Sequence, residues 1–368
     1  MNALNRRRAL TSAVVGGAAA AGLAACAGDG PEAAEEEPAR SPESGAFSVP
    51  NEFDTLWEVF VGRYDPDAPV PPLSYSFMKY LPDEATDLLA QVVGRSPREY
   101  DSPESVEATA GQLEDLVAVY ESHGVKVHRP RRLDEAENEF VVTGSHQVFA
   151  RDPMFVVDDL LVEGAMMMPS RRKEIFAYRE TLFELTASSK GARWVAAPHP
   201  VPTAPDPEVA ESPGPFLEGG DVFVLDDGVL AGHSGLASNT AGIDWLRREL
   251  GGKPVHEVRV EHKWLHLDCV LAVVRPGLAV CHREGLPDGL PDLIADWEVV
   301  DATEEEAHAM GCNSMCLAPN KVIVPDEHGR LIDELVKRDV EVVGDFRFDE
   351  VSHAGGGVRC ATQPLKRG

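Results

Sequence analysis

Positive charge is scarce in this chain: 34 Lys and Arg stand against 62 Asp and Glu over 368 residues, a formal net charge of −28. A general nucleic-acid binder needs clustered Lys and Arg to displace counterions from phosphate, and no cluster beyond a few residues is present. The same balance disfavours adhesion to an anionic membrane surface and favours cationic small molecules such as guanidines and amines. Strongly apolar runs are also missing. The Ala, Gly and Val stretch at 11–25 falls short of the roughly 20 strongly apolar residues that a membrane-spanning helix requires. A disulfide framework is missing too: beyond Cys26 come Cys269, Cys281, Cys312, Cys316 and Cys360, an odd set without a CxxC pair. At least one thiol is expected to be free. A hydrophobic content of 43% excludes a disordered or fibrous chain and leaves one large globular domain or two ordinary ones.

The N-terminus reads as an address. Arg6, Arg7 and Arg8 precede the mild apolar run as in a signal peptide, and the Arg pair is what a twin-arginine export signal requires. Leu23-Ala24-Ala25-Cys26 resembles the lipobox of bacterial lipoproteins, which implies lipidation at Cys26 and a chain exported and anchored outside the cytoplasm. A frayed Ala-rich extension is the plainer alternative. Residues 27–50, with Glu35-Glu36-Glu37 and scattered Pro, Gly and Ser, are expected to form a disordered tether, leaving 51–368 as the catalytic domain.

A repeating unit runs through that domain. Ser102 as N-cap, Pro103 at the first helical position and Gly124 as a stop predict a helix feeding the strand Val125-Lys126-Val127. The pattern returns at 170–197 and at 239–260, and in shorter form at 290–300 and 331–343. Between these units lie apolar pairs around Asp158-Asp159, Asp226-Asp227-Gly228, Pro276-Gly277 and Asn320-Lys321, each a hairpin signal. Five hairpin, helix and strand modules predict an α/β fold closed as a five-bladed α/β-propeller around a central active site, because hairpins make the pairing antiparallel or mixed.

Four polar stretches interrupt the modules: Arg151-Asp152-Pro153, Glu218-Gly219-Gly220-Asp221, His266-Leu267-Asp268, and Gly355-Gly356-Gly357 leading to Cys360. Singly, each has an ordinary explanation as turn, loop, core histidine or small buried residue. Together they form the set a thiol enzyme acting on a guanidinium needs. Carboxylates accepting paired hydrogen bonds hold the planar cation, a task for Asp152, Asp268 and Glu218. The thiol must ionise to attack the central carbon, and the bound cation itself favours that ionisation. His266 would protonate the departing amine and then deprotonate the incoming nucleophile, with Glu218 orienting its ring. The glycines let backbone approach the site.

In this order these motifs resemble the amidinotransferase and arginine deiminase superfamily, guanidino-group-modifying enzymes with a five-bladed α/β-propeller. Asn51-Glu52-Phe53-Asp54 and Met168-Pro169-Ser170-Arg171 are similar to segments of glycine and inosamine amidinotransferases. The resemblance covers about 51–368. It implies Cys360 as nucleophile, His266 paired with Glu218 as acid and base, Asp152 and Asp268 on the guanidinium, and no cofactor. The length and the opening segment favour an amidinotransferase passing the amidino group to an amine. Glu218 and the ending Cys360-Ala361-Thr362-Gln363-Pro364 are more like the deiminases and dimethylarginine hydrolases, in which water resolves the adduct. A guanidine-binding lipoprotein without catalysis would have no use for Cys360.

Further residues carry open alternatives. Arg151, Asn313, Ser314 and Gly357 are candidates for contact with substrate. His262 and His266 have the spacing of metal ligands on a helix, but their strand-like surroundings disfavour it. Cys312 and Cys316 would form a disulfide or pack as thiols. Arg171 and Arg172 would hold a substrate carboxylate or begin a solvated helix, Met166-Met167-Met168 would line core or pocket, and 63–100 would be a lid or a surface excursion.

Overall fold

The apolar runs become five three-stranded sheets in a computed structural model that describes residues 45–70, 87, 90–134, 136–137, 147–199 and 214–368. Four sheets are built from consecutive strands. They are β3 (Met154–Val157), β4 (Leu160–Glu163) and β5 (Arg193–Ala196); β6 (Val222–Leu225), β7 (Gly228–His233) and β8 (Val255–Arg259); β9 (Leu271–Arg275), β10 (Leu278–Cys281) and β11 (Glu298–Asp301); and β12 (Met315–Ala318), β13 (Lys321–Ile323) and β14 (Glu341–Val343). In each, a tight hairpin makes the first two strands antiparallel and a crossover returns the third parallel to the middle one. Asp158 and Asn320 sit in hairpin turns at φ 51° and 65°, a region that Asp and Asn tolerate better than most side chains.

The fifth sheet joins the two ends of the domain. β1 (Leu56–Val61) pairs antiparallel with β15 (Thr362–Arg367) and parallel with β2 (Lys126–His128), so the place of a hairpin is taken by strands about 300 residues apart. No turn motif announces that pairing in the sequence.

The crossovers follow their local chemistry. Ser102 accepts a hydrogen bond from the Ser105 amide at 3.1 Å and starts the helix Pro103–Ser122, which ends before Gly124 at φ 75°. Such a cap contributes about 1 kcal/mol. The helix turns Leu113, Leu116 and Tyr120 inward against Val59 and Val61, each buried side chain contributing roughly 1.5–3 kcal/mol. Asn239 caps the helix Thr240–Leu250 in the same way through the Gly242 amide. Two predicted helices differ. The stretch around 290 forms two 3₁₀ turns, Arg283–Gly285 and Asp292–Ile294, because Gly285, Pro287, Gly289 and Pro291 interrupt the helical ladder. The second crossover begins with 3₁₀ turns Pro169–Arg171 and Glu174–Ala177 before its α-helix, Arg179–Ala187.

The expected tether is too long by its last six residues. Ala46, Phe47 and Val49 are buried beside Phe60 and Leu365, the Ser48 amide donates to Leu365 O, and the Val49 amide donates to Asp158 O. Three apolar side chains and two backbone pairings outweigh a composition that, averaged over 27–50, looks disordered. Residues 1–44, with the expected signal and Cys26, lie outside the described residues, as do 71–86 and 88–89 within the expected lid. No helix among the described residues is long and apolar enough to cross a membrane.

Candidate active site

Every polar motif lies just ahead of the outer strand that pairs antiparallel with the middle strand of its sheet. Asp152 precedes β3, Glu218 precedes β6, His266 and Asp268 precede β9, Asn313 precedes β12 and Cys360 precedes β15. The five loops are hydrogen-bonded in a closed circuit. The Arg151 amide donates to Cys360 O at 3.0 Å, and the Gly219 amide to Asp152 O at 3.0 Å. The Leu267 amide donates to Asp221 Oδ1 at 2.8 Å, Asn313 Nδ2 to Asp268 O at 2.9 Å, and the Arg359 amide to Asn313 O at 3.1 Å. Asp221 thus ties the Glu218 loop to the His266 loop, and its second oxygen accepts from the Ser238 amide at 3.2 Å.

The Cys360 thiol is buried. Asn313 Nδ2 donates to its sulfur at 3.1 Å, and the thiol reaches Asp268 Oδ2 at 3.5 Å. Burial pushes the thiol well above its ordinary value, and the Asp268 and Asp152 charges push it further. It is therefore protonated at neutral pH until a cation arrives.

His266 faces the opposite balance. Burial alone would discharge the ring, but Asp152, with Oδ1 3.8 Å from Nδ1, and Glu218, which accepts from Nε2 at 3.0 Å, carry it up to about 10. The imidazolium is the form present at neutral pH. The other Glu218 oxygen accepts from the Met167 amide at 2.8 Å, and Ser238 Oγ takes the Glu218 amide at 3.0 Å, so the carboxylate is aimed from both ends. Gly220 makes this packing feasible: a Cβ there would lie 2.6 Å from His266 Nδ1 and 2.9 Å from Asp152 Oδ1.

The two expected clamp residues each keep one buried oxygen in reserve. Asp152 Oδ2 accepts from Arg171 Nη1 at 2.8 Å and Asp268 Oδ2 accepts from Arg359 Nη1 at 3.0 Å, while Asp152 Oδ1 and Asp268 Oδ1 have no hydrogen-bond partner among the described residues. Buried carboxylate oxygens without donors are costly to maintain unless a ligand supplies them. A guanidinium presents the N–H edges these two atoms lack.

Several other expected residues take specific places. Arg151 is engaged by the protein, its Nε donating to Arg359 O at 3.3 Å and its Nη2 lying against Met315 Sδ, and burial pulls its guanidinium down to about 9. Gly357 lies against Asn313, whose Cβ and Oδ1 a side chain at 357 would meet at 2.8 and 2.9 Å. Arg171 begins no solvated helix: Glu174 grips it with both oxygens at 3.0 Å, and it bonds Asp152. Arg172 donates to the carbonyls of Met166 and Met167, residues that are themselves buried. His262 turns to the Ser234 carbonyl instead of joining His266, and among the described residues no group of three His, Cys, Asp or Glu is placed to hold a metal. All five described cysteines are free, Cys312 and Cys316 included. Cys316 donates to Val273 O at 3.0 Å, and burial pushes its thiol up to about 12. Sequence reasoning overlooked Arg359 and Glu52 as participants, although both stand inside quoted motifs.

A buried thiol, a charged histidine and two waiting carboxylates define a guanidino-group-modifying enzyme, and comparison with known proteins bears this out. The family model described as N,N dimethylarginine dimethylhydrolase, eukaryotic matches residues 95–367. The chain belongs to that family, within the amidinotransferase and arginine deiminase superfamily. It is 29% identical to inosamine-phosphate amidinotransferase 1 of Streptomyces glaucescens, across 87% of this chain and 96% of that one. The solved inosamine-phosphate amidinotransferase of Streptomyces griseus superposes with a TM-score of 0.73 at 25% identity, covering 89% of this chain and 97% of that one. The DDAH of Pseudomonas aeruginosa in complex with citrulline is alike in fold, at a TM-score of 0.56 and 17% identity over 84% of this chain and 99% of that one.

Proposed function

We propose that the chain removes the amidino group of arginine or a related guanidine as a covalent adduct on Cys360 and passes it to an amine. The observation that carries this reading is the pair of buried oxygens, Asp152 Oδ1 and Asp268 Oδ1, which find no donor among the described residues and whose carboxylates act on that thiol. The substrate guanidinium docks on both, and its charge offsets the burial and the carboxylates that keep the thiol protonated, so that the thiol proton is released to solvent. The thiolate then attacks the central guanidino carbon and forms the C–S bond. The carbon–nitrogen bond to the departing amine breaks as the His266 imidazolium donates its proton to that nitrogen. Neutral His266 next takes a proton from the acceptor amine as it attacks the adduct, and the thiolate leaves. Asn313, Arg151 and Gly357 serve in this scheme by placing Cys360.

Transfer is favoured by curated relatives named as amidinotransferases across most of both chains. Hydrolysis, with water in place of the amine, is the second reading, favoured by the hydrolase family whose model the chain matches. Arginine supplied with glycine or another amine gives ornithine and a new guanidino compound under the first, and citrulline with ammonia under the second. No guanidine consumed and no labelling of Cys360 by a haloacetamidine would end both in favour of a binding protein.

The five sheets and the closed circuit of loop hydrogen bonds support a five-bladed propeller, closed where β1 meets β15. We further propose that the N-terminal segment exports the chain and that Cys26 is lipidated, on the strength of Arg6-Arg7 and Leu23-Ala24-Ala25-Cys26. Fractionation of a variant with Arg6 and Arg7 changed to Lys tests this, and unchanged delivery would refute the export signal.

A further inference from the structure

Resting on the guanidine chemistry above, we propose that Glu52 and Arg359 are a positioning pair that divides the Asp268 carboxylate, holding Oδ2 for the protein and leaving Oδ1 for the substrate. Arg359 immediately precedes the nucleophile and is buried. Its Nη1 donates to Asp268 Oδ2 at 3.0 Å, while Nη2 donates to Glu52 Oε1 at 3.2 Å and to Val222 O at 2.8 Å. The guanidinium plane lies over Phe223, with Cζ 3.8 Å from the ring centroid. Glu52 Oε1 is fixed in turn by the Val224 amide at 3.3 Å. The fork therefore has one end on the acceptors Glu52 Oε1 and Val222 O, the former held by the Val224 amide, and the other on the carboxylate that meets the thiol.

The arrangement solves a problem of charge and of angle together. Asp268 Oδ2 stands 3.5 Å from Cys360 Sγ, where a bare carboxylate would oppose thiolate formation. Arg359 covers that oxygen with positive charge and, because a guanidinium is a planar fork, also sets the direction in which Oδ1 points. Lysine, a point charge on a flexible stem, would supply the first effect without the second. The charged and titratable groups acting on the thiol include Asp268, Asp152 and Cys269; those acting on Arg359 include Glu52 and Asp268, and Arg151, Arg367 and Cys316 also feel its charge.

The test uses the full chain, with turnover of a guanidine and the pH dependence of Cys360 alkylation by neutral iodoacetamide followed by peptide mass spectrometry. Glu52→Gln and Arg359→Lys are each expected to lower kcat/KM about 10- to 100-fold, as misplacement of a substrate-holding group does. The alkylation midpoint should fall in Glu52→Gln, which removes a negative charge from the buried network, and stay within a few tenths of a pH unit in Arg359→Lys. A merely structural role would speed alkylation at every pH without moving the midpoint, and that outcome overturns the proposal, as does full kcat/KM in both variants. Should Glu52→Gln not fold, Glu52→Asp, which keeps the charge and shortens the reach, carries the same kcat/KM expectation. A wild-type protein that consumes no guanidine would instead refute the underlying function and is scored separately.

Discussion

Asn313 holds Cys360 by backbone and side chain at once: its Oδ1 accepts from the Cys360 amide at 2.9 Å while its Nδ2 donates to the sulfur at 3.1 Å. One planar amide therefore sets both where the nucleophile sits and which way its sulfur points. Asn313→Ala leaves the buried Cys360 amide unsatisfied, which costs about 1–3 kcal/mol. The sulfur loses its donor as well, so kcat should fall about 100-fold, a loss of the size seen for small misplacements. Steady-state kinetics and a denaturant titration check the two effects, and an unchanged kcat would remove Asn313 from the site.

His266 links the site to pH. Its value is about 10 in the folded protein against an ordinary 6.5, so the charged ring stabilises the fold fully below pH 6.5 and ceases to do so as pH rises through about 10. The stability gap between wild type and His266→Gln should therefore be widest in mild acid and narrowest above pH 10. Denaturation midpoints across pH 5 to 10.5 measure it, and a gap that widened with pH would contradict the assignment of Asp152 and Glu218 as its partners.

Gly220 and Gly289 separate crowding from backbone strain. Gly220→Ala drives a methyl into His266 and Asp152 and should reduce kcat/KM by at least about 100-fold, following the geometric sensitivity of such sites. Gly289→Ala meets nothing within 4 Å, but holds φ at 85°, and should cost about 1 kcal/mol of stability with normal activity. Equal activity losses in the two would argue against close packing at 220 as the cause.

Glu58 tests how the chain ends are joined. It bonds His128 Nε2 at 3.0 Å and Lys366 Nζ at 2.8 Å, spanning β2, β1 and β15. Burial raises its carboxyl, but those partners lower it further, to about 2. Its stabilisation is present above the ordinary 4.5 and lost as pH falls through about 2. Glu58→Gln should cost about 1 kcal/mol at pH 7, near the top of the range for a partly exposed pair, and the difference should vanish near pH 2. Thermal melts at the two pH values decide it.

Much of this molecule was legible in the chain. Ser102, Pro103 and Gly124 set a helix and Asp226-Asp227-Gly228 set a hairpin, because capping and turn formation involve neighbours a few residues apart. The motifs at Asp152, Glu218, His266, Asp268 and Cys360 stood out because charged groups interrupted apolar modules. The prolines and glycines from 285 to 291 were equally visible, yet the helix predicted near them gave way to 3₁₀ turns.

Other features had no local signature. Arg151 read as a substrate contact and Arg171 as a carboxylate contact or the start of a solvated helix, yet Arg151 donates to the Arg359 carbonyl and Arg171 is held by Glu174. Residues 45–50 read as tether because composition averages over the three apolar side chains that find partners near 60 and 365. The modules, their order and the chemistry-bearing residues were determined by the sequence itself, through periodicity and turn chemistry that act within a few residues. Which groups meet was decided by tertiary structure alone. Asn313 reaches Cys360 across 47 residues and Glu52 reaches Arg359 across 307, and such partners are chosen by how the loops ahead of the five sheets pack together, which no pattern of neighbouring residues specifies.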